Sequence, residues 1–284
     1  MALVTAAVLV ALVPGFSPTG GPHAISHASR AAIFCTNTAS TTQAASPRSE
    51  GLALMLDDGT RKSHSVAENT AFVTGFFRGI ASPESFAQLV ASLYFVYEAM
   101  EACFDACEDP RVCALDFPEL RRRAALERDM AFFHGPNWPE SVRPTPATRA
   151  YVEHIRRVAR DRPELLVAHQ YTRYLGDLFG GQMMGGMAQR TLGLQEGQGT
   201  AFYQFEGIPD TKAFIDAWYA RLNAQPFDPA ARAAIVDEGN RVFTYNIALF
   251  EELEGAWWRA AWALAVRGLA DWDARVNAQW GLRV

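Results

Sequence analysis

Residues 163–192 read PELLVAHQYTRYLGDLFGGQMMGGMAQRTL and carry the groups most suited to chemistry. Opened by Pro163 and Glu164, this run predicts one long helix, yet it holds five glycines. Each interior glycine costs a helix about 1 kcal/mol relative to alanine, so something should require bare backbone. Arg173, Gly176, Asp177, Gly180 and Met184 follow three- and four-residue steps and share one helical face. That face pairs an arginine with a carboxylate and leaves room for a flat ligand to lie against the main chain. Close helix–helix packing with an ordinary i,i+4 ion pair explains the glycines and the charges equally well.

Four histidines beyond residue 50 could ligate a metal: His64, His134, His154 and His169. His134 falls in the turn His134-Gly135-Pro136-Asn137, and His154 sits beside Arg156 and Arg157 in a charged stretch. His64 alone has a carboxylate, Glu68, one turn later. A carboxylate accepting one ring N–H fixes the tautomer of a histidine that ligates through the other nitrogen.

The elements that must position these groups are helical. No run of alternating β-branched residues suggests a strand. Ser82-Pro83, Thr145-Pro146 and Asp228-Pro229 each place a capping residue before proline at the first helical position. The predicted helices span 52–78 (broken near Gly59), 83–107, 118–133, 146–160, 163–192, 210–224, 229–254 and 256–280. The expected fold is all-α, one compact multi-helix domain. With 284 residues, 49% hydrophobic, the chain is long enough to bury a large core, and its net charge of −5 offers no basic block for nucleic acid. Cys35, Cys103, Cys107 and Cys113 form no C-x-x-C pair, which points to free thiols in a reducing compartment.

The ends have a different composition. Residues 1–49 contain no Asp or Glu, and Arg30 and Arg48 are their only Lys or Arg. An apolar run from Ala2 to Val13 precedes a Ser-, Thr- and Ala-rich stretch beginning near Phe16. A signal-like core followed by a transit-like stretch predicts a targeting leader over residues 1–50 of the bipartite kind that serves complex plastids. At the other end, residues 255–284 hold five of the seven tryptophans, and Trp258, Trp262, Val266, Leu269, Trp272 and Val276 form an amphipathic stripe. The charges between them rule out a membrane span. Packing on the domain is the expected role, with weak membrane-surface contact as the other reading.

The string His169-Gln170-Tyr171-Thr172-Arg173-Tyr174-Leu175-Gly176-Asp177-Leu178-Phe179-Gly180-Gly181-Gln182 resembles the signature of the heme oxygenase family. Further matches include Ala91-Ser92-Leu93-Tyr94 with Tyr97, Arg123-Ala124-Ala125-Leu126-Glu127 with Asp129, and Asn246-Ile247 with Leu249-Phe250-Glu251-Glu252-Leu253. The resemblance covers roughly residues 51–254. It implies a heme sandwiched between a proximal helix and a glycine-rich distal helix, serving as both cofactor and substrate. It implies cleavage to biliverdin, CO and Fe2+ with O2 and electrons from ferredoxin or another reductase, in a monomer. His64 then matches the proximal iron ligand, with Glu68 close by. Asp177 matches the residue that organises distal water, in a network with Tyr97, Tyr151, Arg173 and Asn246. Gly176 and Gly180 match glycines that press backbone onto the heme. Arg61, Tyr171 and Phe243 stand at positions expected to line it.

Several positions depart from the family pattern. Asp57 stands in place of a lysine two turns before His64, while Arg61 keeps a basic group one turn before it. Ile215 and Tyr219 replace basic residues that usually meet the heme propionates, with Lys212 and Arg221 nearby. Phe179 replaces a serine, and Met184, Gly185 and Gly186 replace the lysine-bearing stretch after the signature glutamine. These changes keep open a second reading, a heme carrier or sensor that retains the fold without turnover. Asp177 favours the enzyme, because a carrier has no use for a distal acid.

Overall fold

The computed structural model describes residues 46–77, 82–195 and 197–253. Among them there are helices and no strands. Eleven helices follow in order: α1 (Gly51–Glu68), α2 (Ala71–Phe77), α3 (Pro83–Asp105), α4 (Pro110–Cys113), α5 (Arg123–His134), α6 (Trp138–Ser141), α7 (Pro146–Asp161), α8 (Leu166–His169), α9 (Gly176–Leu192), α10 (Thr211–Asn223) and α11 (Pro229–Leu253). A π-helical segment, Gln170–Leu175, joins α8 to α9. The targeting reading before residue 46 and the tryptophan-rich helix after Glu254 lie outside the described residues.

The three proline-preceded caps form. Ser82 accepts from Ser85 N at 3.1 Å, Thr145 from Thr148 N at 3.3 Å and Asp228 from Ala231 N at 2.7 Å. Each such cap is worth about 1 kcal/mol. Helix α1 lies along α11, and α3 packs on both α5 and α7. Leu52, Leu56, Phe86, Val96, Met100, Leu126, Ile155 and Trp218 are fully enclosed in the resulting core. Burying each of the aliphatic and Phe side chains stabilises the fold by roughly 1.5–3 kcal/mol.

Four expectations change. Gly59 does not break α1; a Cβ there would lie 2.4 Å from Val236 Cγ1, and one on Gly239 of α11 would lie 3.0 Å from Thr60 Cγ2. Both glycines let the two helices touch, and the break comes instead at Asn69-Thr70, where Asn69 closes α1. The helix expected from residue 118 begins at Arg123 after a 3-10 turn over Pro118–Leu120, because Glu101 accepts from the Arg122 and Arg123 N–H groups at 2.6 and 2.9 Å. The expected single helix over 163–192 is a 3-10 turn, α8, the π segment and α9 in succession. Finally, the fold starts before residue 51: Pro47–Ser49 form a 3-10 turn whose Pro47 carbonyl accepts from Asn223 Nδ2 at 2.7 Å. Short helices α4 and α6 were not anticipated, although Asp109-Pro110 repeats the capping pattern, with Asp109 accepting from Arg111 N at 2.9 Å.

Candidate functional site

Helix α1 carries His64 and Glu68 on its last turns. His64 Nδ1 lies 3.5 Å from Glu68 Oε2, and the ring meets Phe243 of α11 edge-on at 5.5 Å between centroids. The His64 hydrogen bond holds the Glu68 carboxyl below its ordinary value. Both side chains are open, 51% and 60% exposed. With Nδ1 turned to the carboxylate, Nε2 is the nitrogen available to a metal.

The π segment and α9 build the other set. Arg173 donates through Nη1 to Asn246 Oδ1 and through Nη2 to Asp177 Oδ2, both at 3.0 Å. Tyr97 of α3 donates its hydroxyl to the same Asp177 oxygen in a short contact. Burial raises the Asp177 carboxyl above its ordinary value, outweighing Arg173 and Tyr97, which act to lower it. Burial, with the Asp177 charge beside it, pushes the Tyr97 phenol well up. Arg173 stays firmly charged: burial works against the cation, but Asp177, Tyr97 and Tyr151 more than offset it.

The glycines of α9 fall into two kinds. A Cβ added at Gly176 or Gly180 would meet nothing within 4 Å, whereas at Gly181 and Gly185 it would lie 3.1 and 2.9 Å from Tyr203. Tyr203 is held there by the turn Ala201–Tyr203, whose Ala201 and Phe202 N–H groups donate to Asp129 at 2.9 and 2.8 Å. Packing therefore accounts for Gly181 and Gly185. It does not account for Gly176 and Gly180, whose bare face borders Asp177.

A planar macrocycle with a metal fits these residues: a histidine with a tautomer-fixing partner, an apolar ring at Phe243, and backbone left uncovered at two positions beside a carboxylate. The heme oxygenase family profile matches residues 50–252. The chain belongs to the heme oxygenase family. It is 48% identical over 208 residues to heme oxygenase 1 of the cyanobacterium Synechocystis, covering 73% of this chain and 86% of the relative. It is 43% identical over 206 residues to the heme oxygenase of the alga Pyropia yezoensis, covering 72% and 87%. The crystal structure of the Synechocystis heme oxygenase-1 in complex with heme superposes with a TM-score of 0.71 at 44% identity, covering 78% of this chain and all of that one.

Other heme oxygenase positions are disposed as follows. Tyr171 is partly buried, its phenol pushed up by burial. Arg61 pairs with acids on its own helix, Asp58 at 2.5 Å and Asp57 at 3.5 Å. Lys212 is committed to Asp216 at 2.9 Å, and Arg221 donates to the Ala114 carbonyl at 3.2 Å over the Phe117 ring. Tyr219 is buried. Sequence reading missed Arg48, which hydrogen-bonds Asp57 and places a guanidinium within electrostatic reach of Tyr171 and Tyr219. Its position in the leader-like composition concealed it.

Two histidine assignments need correction. His134 is the last residue of α5 rather than part of a turn, with Nε2 3.1 Å from the Ala87 carbonyl. His154 is not on a charged surface; it is buried with His169 and Glu238. The signal was present in Tyr151, His154, Ile155 and Val158, a helical stripe in which the histidine occupies an apolar position. Tyr151 is fully buried, and its hydroxyl meets His169 Nδ1 at 3.4 Å.

Proposed function

We propose that this chain cleaves heme to biliverdin, CO and Fe2+, using O2 and reducing equivalents, rather than carrying or sensing heme. The observation that carries this reading is the buried Tyr97–Asp177–Arg173–Asn246 network beside two glycines with open space where side chains would be. A carrier needs an iron ligand and an apolar slot. It does not need an acid held by two donors on the oxygen side, one of them fixed in turn by Asn246.

Bound heme supplies the iron where O2 is reduced and the ring carbon that is oxidised. The protein's own groups do the rest. His64 Nε2 would hold the iron, with Glu68 fixing the tautomer of the imidazole. Gly176 and Gly180 allow backbone to approach the ring and so limit which meso edge is reachable. Asp177, its Oδ2 accepting from both Tyr97 and Arg173, would hold a water through its other oxygen and relay a proton to it. Arg173 keeps the carboxylate in place and is itself fixed by Asn246. Tyr171 and Phe243 line the slot with Arg61 at its exposed rim. Arg48, already paired with Asp57 beside Tyr171 and Tyr219, would be the cation available to a heme carboxylate that Ile215 and Tyr219 cannot neutralise.

Relatives from algae and cyanobacteria support a plastid setting, where ferredoxin would be the electron donor. The leader-like residues would supply the address, ending before the turn at Pro47, and the domain would act as a monomer. Among the described residues, no helix is long and apolar enough to cross a membrane.

The test is a single turnover: hemin, reduced ferredoxin and O2 are added to the protein, and the Soret band is followed. Its decay with the rise of a biliverdin band supports the oxygenase. A band that persists with ferredoxin and with ascorbate establishes the carrier.

A further inference from the structure

From Tyr151 runs a chain of buried polar groups drawn from three helical segments. Tyr151 and His154 come from α7, His169 from the end of α8 and Glu238 from α11. Tyr151 and His169 are fully buried, and His154 and Glu238 nearly so. His169 Nε2 lies 3.2 Å and His154 Nε2 2.5 Å from the same oxygen, Glu238 Oε1. Arg157 Nη2 reaches His154 Nδ1 at 2.8 Å, and Arg241 faces the other carboxylate oxygen at 3.6 Å.

The donors fix every proton in this chain. A guanidinium can only donate, so His154 Nδ1 accepts and its Nε2 carries the hydrogen given to Glu238. His154 is thereby removed as a metal ligand, although two imidazoles and a carboxylate lie close enough together to suggest one. Hydrogen bonds from His154 and His169 overcome the opposing effect of burial and hold the Glu238 carboxyl well below the usual range. Against a permanent carboxylate, His169 must present Nε2–H. In the neutral imidazole Nδ1 then has only a lone pair, and the Tyr151 hydroxyl donates to it.

We infer that Glu238 and His169 are positioning residues that turn the Tyr151 O–H away from the distal side, so that the phenol oxygen faces the Arg173–Asp177 water as an acceptor only. Tyr151 lies within electrostatic reach of both Arg173 and Asp177. The adjoining π segment keeps Gln170 Nε2 and Oε1, Thr172 Oγ1 and Arg173 Nε buried without a protein partner. Buried groups of this kind take ordered water, which supplies the donors that such an acceptor needs. A phenol free to rotate would offer the water a donor or an acceptor in turn; a locked one imposes a single direction on the proton chain.

The consequence for the oxygen side rests on the heme reading above, but the tautomer does not. The first measurement is therefore 15N correlation spectroscopy of the imidazoles in the heme-free protein at neutral pH. His169 and His154 are both expected as Nε2–H tautomers with bare Nδ1. His169 found as Nδ1–H, or His154 with bare Nε2, overturns the inference whatever the protein does with heme. The second measurement is the alkaline transition of the ferric heme complex, read from the Soret band. Glu238→Gln is expected to move its midpoint by about half a pH unit, a roughly threefold change in ionisation constant, and to add nothing in a Tyr151→Phe background. Equal shifts in both backgrounds, or none in either, mean that Glu238 does not act through Tyr151. Should Glu238→Gln fail to fold, the wild-type tautomers still decide.

Discussion

On α1, His64 and Glu68 stand in the open, paired loosely at 3.5 Å and supported by one aromatic edge. On the π segment and α9, Arg173 and Asp177 are 9% and 18% exposed, and three hydrogen bonds from α3, α11 and the segment itself fix them. The two regions serve the same proposed ligand and are organised at different times. If His64 binds the iron as proposed, the proximal pair gains its order from that bond, since an exposed ion pair is worth about 0–1 kcal/mol by itself. The distal set is assembled by folding, its reorganisation cost met before any substrate arrives, which is the condition under which fixed dipoles act on developing charge.

The largest effect should come from the preorganised side. Asp177→Ala removes the one acceptor that Tyr97 and Arg173 share and is expected to keep heme binding while lowering biliverdin yield by about 100-fold, the scale of losing a preorganised polar group. Single-turnover chromatography measures it, and a normal yield would remove Asp177 from the proposed role. His64→Ala should do the reverse. The Soret band is expected to shift on loss of the axial nitrogen, and added imidazole should restore it, because an exposed site admits a free ligand. An unchanged band would place the iron on another residue.

The α9 glycines carry the comparison into stability. Gly180→Ala adds a methyl where nothing lies within 4 Å, so the heme-free protein should gain up to about 1 kcal/mol from helix propensity while heme affinity falls. Gly185→Ala drives a methyl to 2.9 Å from Tyr203 Cβ and should lose about 1–3 kcal/mol through overpacking. Paired thermal melts and hemin titrations separate the two. Equal responses would dissolve the distinction between a ligand-facing and a packing glycine.

What the sequence made legible follows the same division. The helices and their proline-marked starts were readable because capping is local chemistry, and the Arg173–Asp177 pair because its spacing is one helical turn. The π segment was not, since an i→i+5 pairing leaves no period of its own within six residues. Gly59 read as a break because its need for bare backbone comes from Val236, far away in sequence. His154 was misplaced and Glu238 overlooked for a related reason: each is a polar residue on an apolar stripe, and only the partner across the helix interface makes that tolerable. Arg48 was lost to composition, which describes a segment and cannot identify its last ordered turn.

Glu68 is the smallest test of the comparison. Its carboxyl is lowered in the fold by His64, so whatever it contributes is present above the ordinary carboxylate value of about 4.3 and is lost as pH falls through the lower folded value. Both groups being open to solvent, Glu68→Gln should change the heme-free melting temperature at pH 7 by less than the equivalent of about 0.5 kcal/mol. With heme bound, the same change should be visible in the ferric electron paramagnetic resonance spectrum, because a histidine whose Nδ1–H faces an amide in place of a carboxylate is a weaker donor to iron. A large loss of heme-free stability would show that the proximal pair is built by folding after all, and the contrast with the distal network would have to be given up.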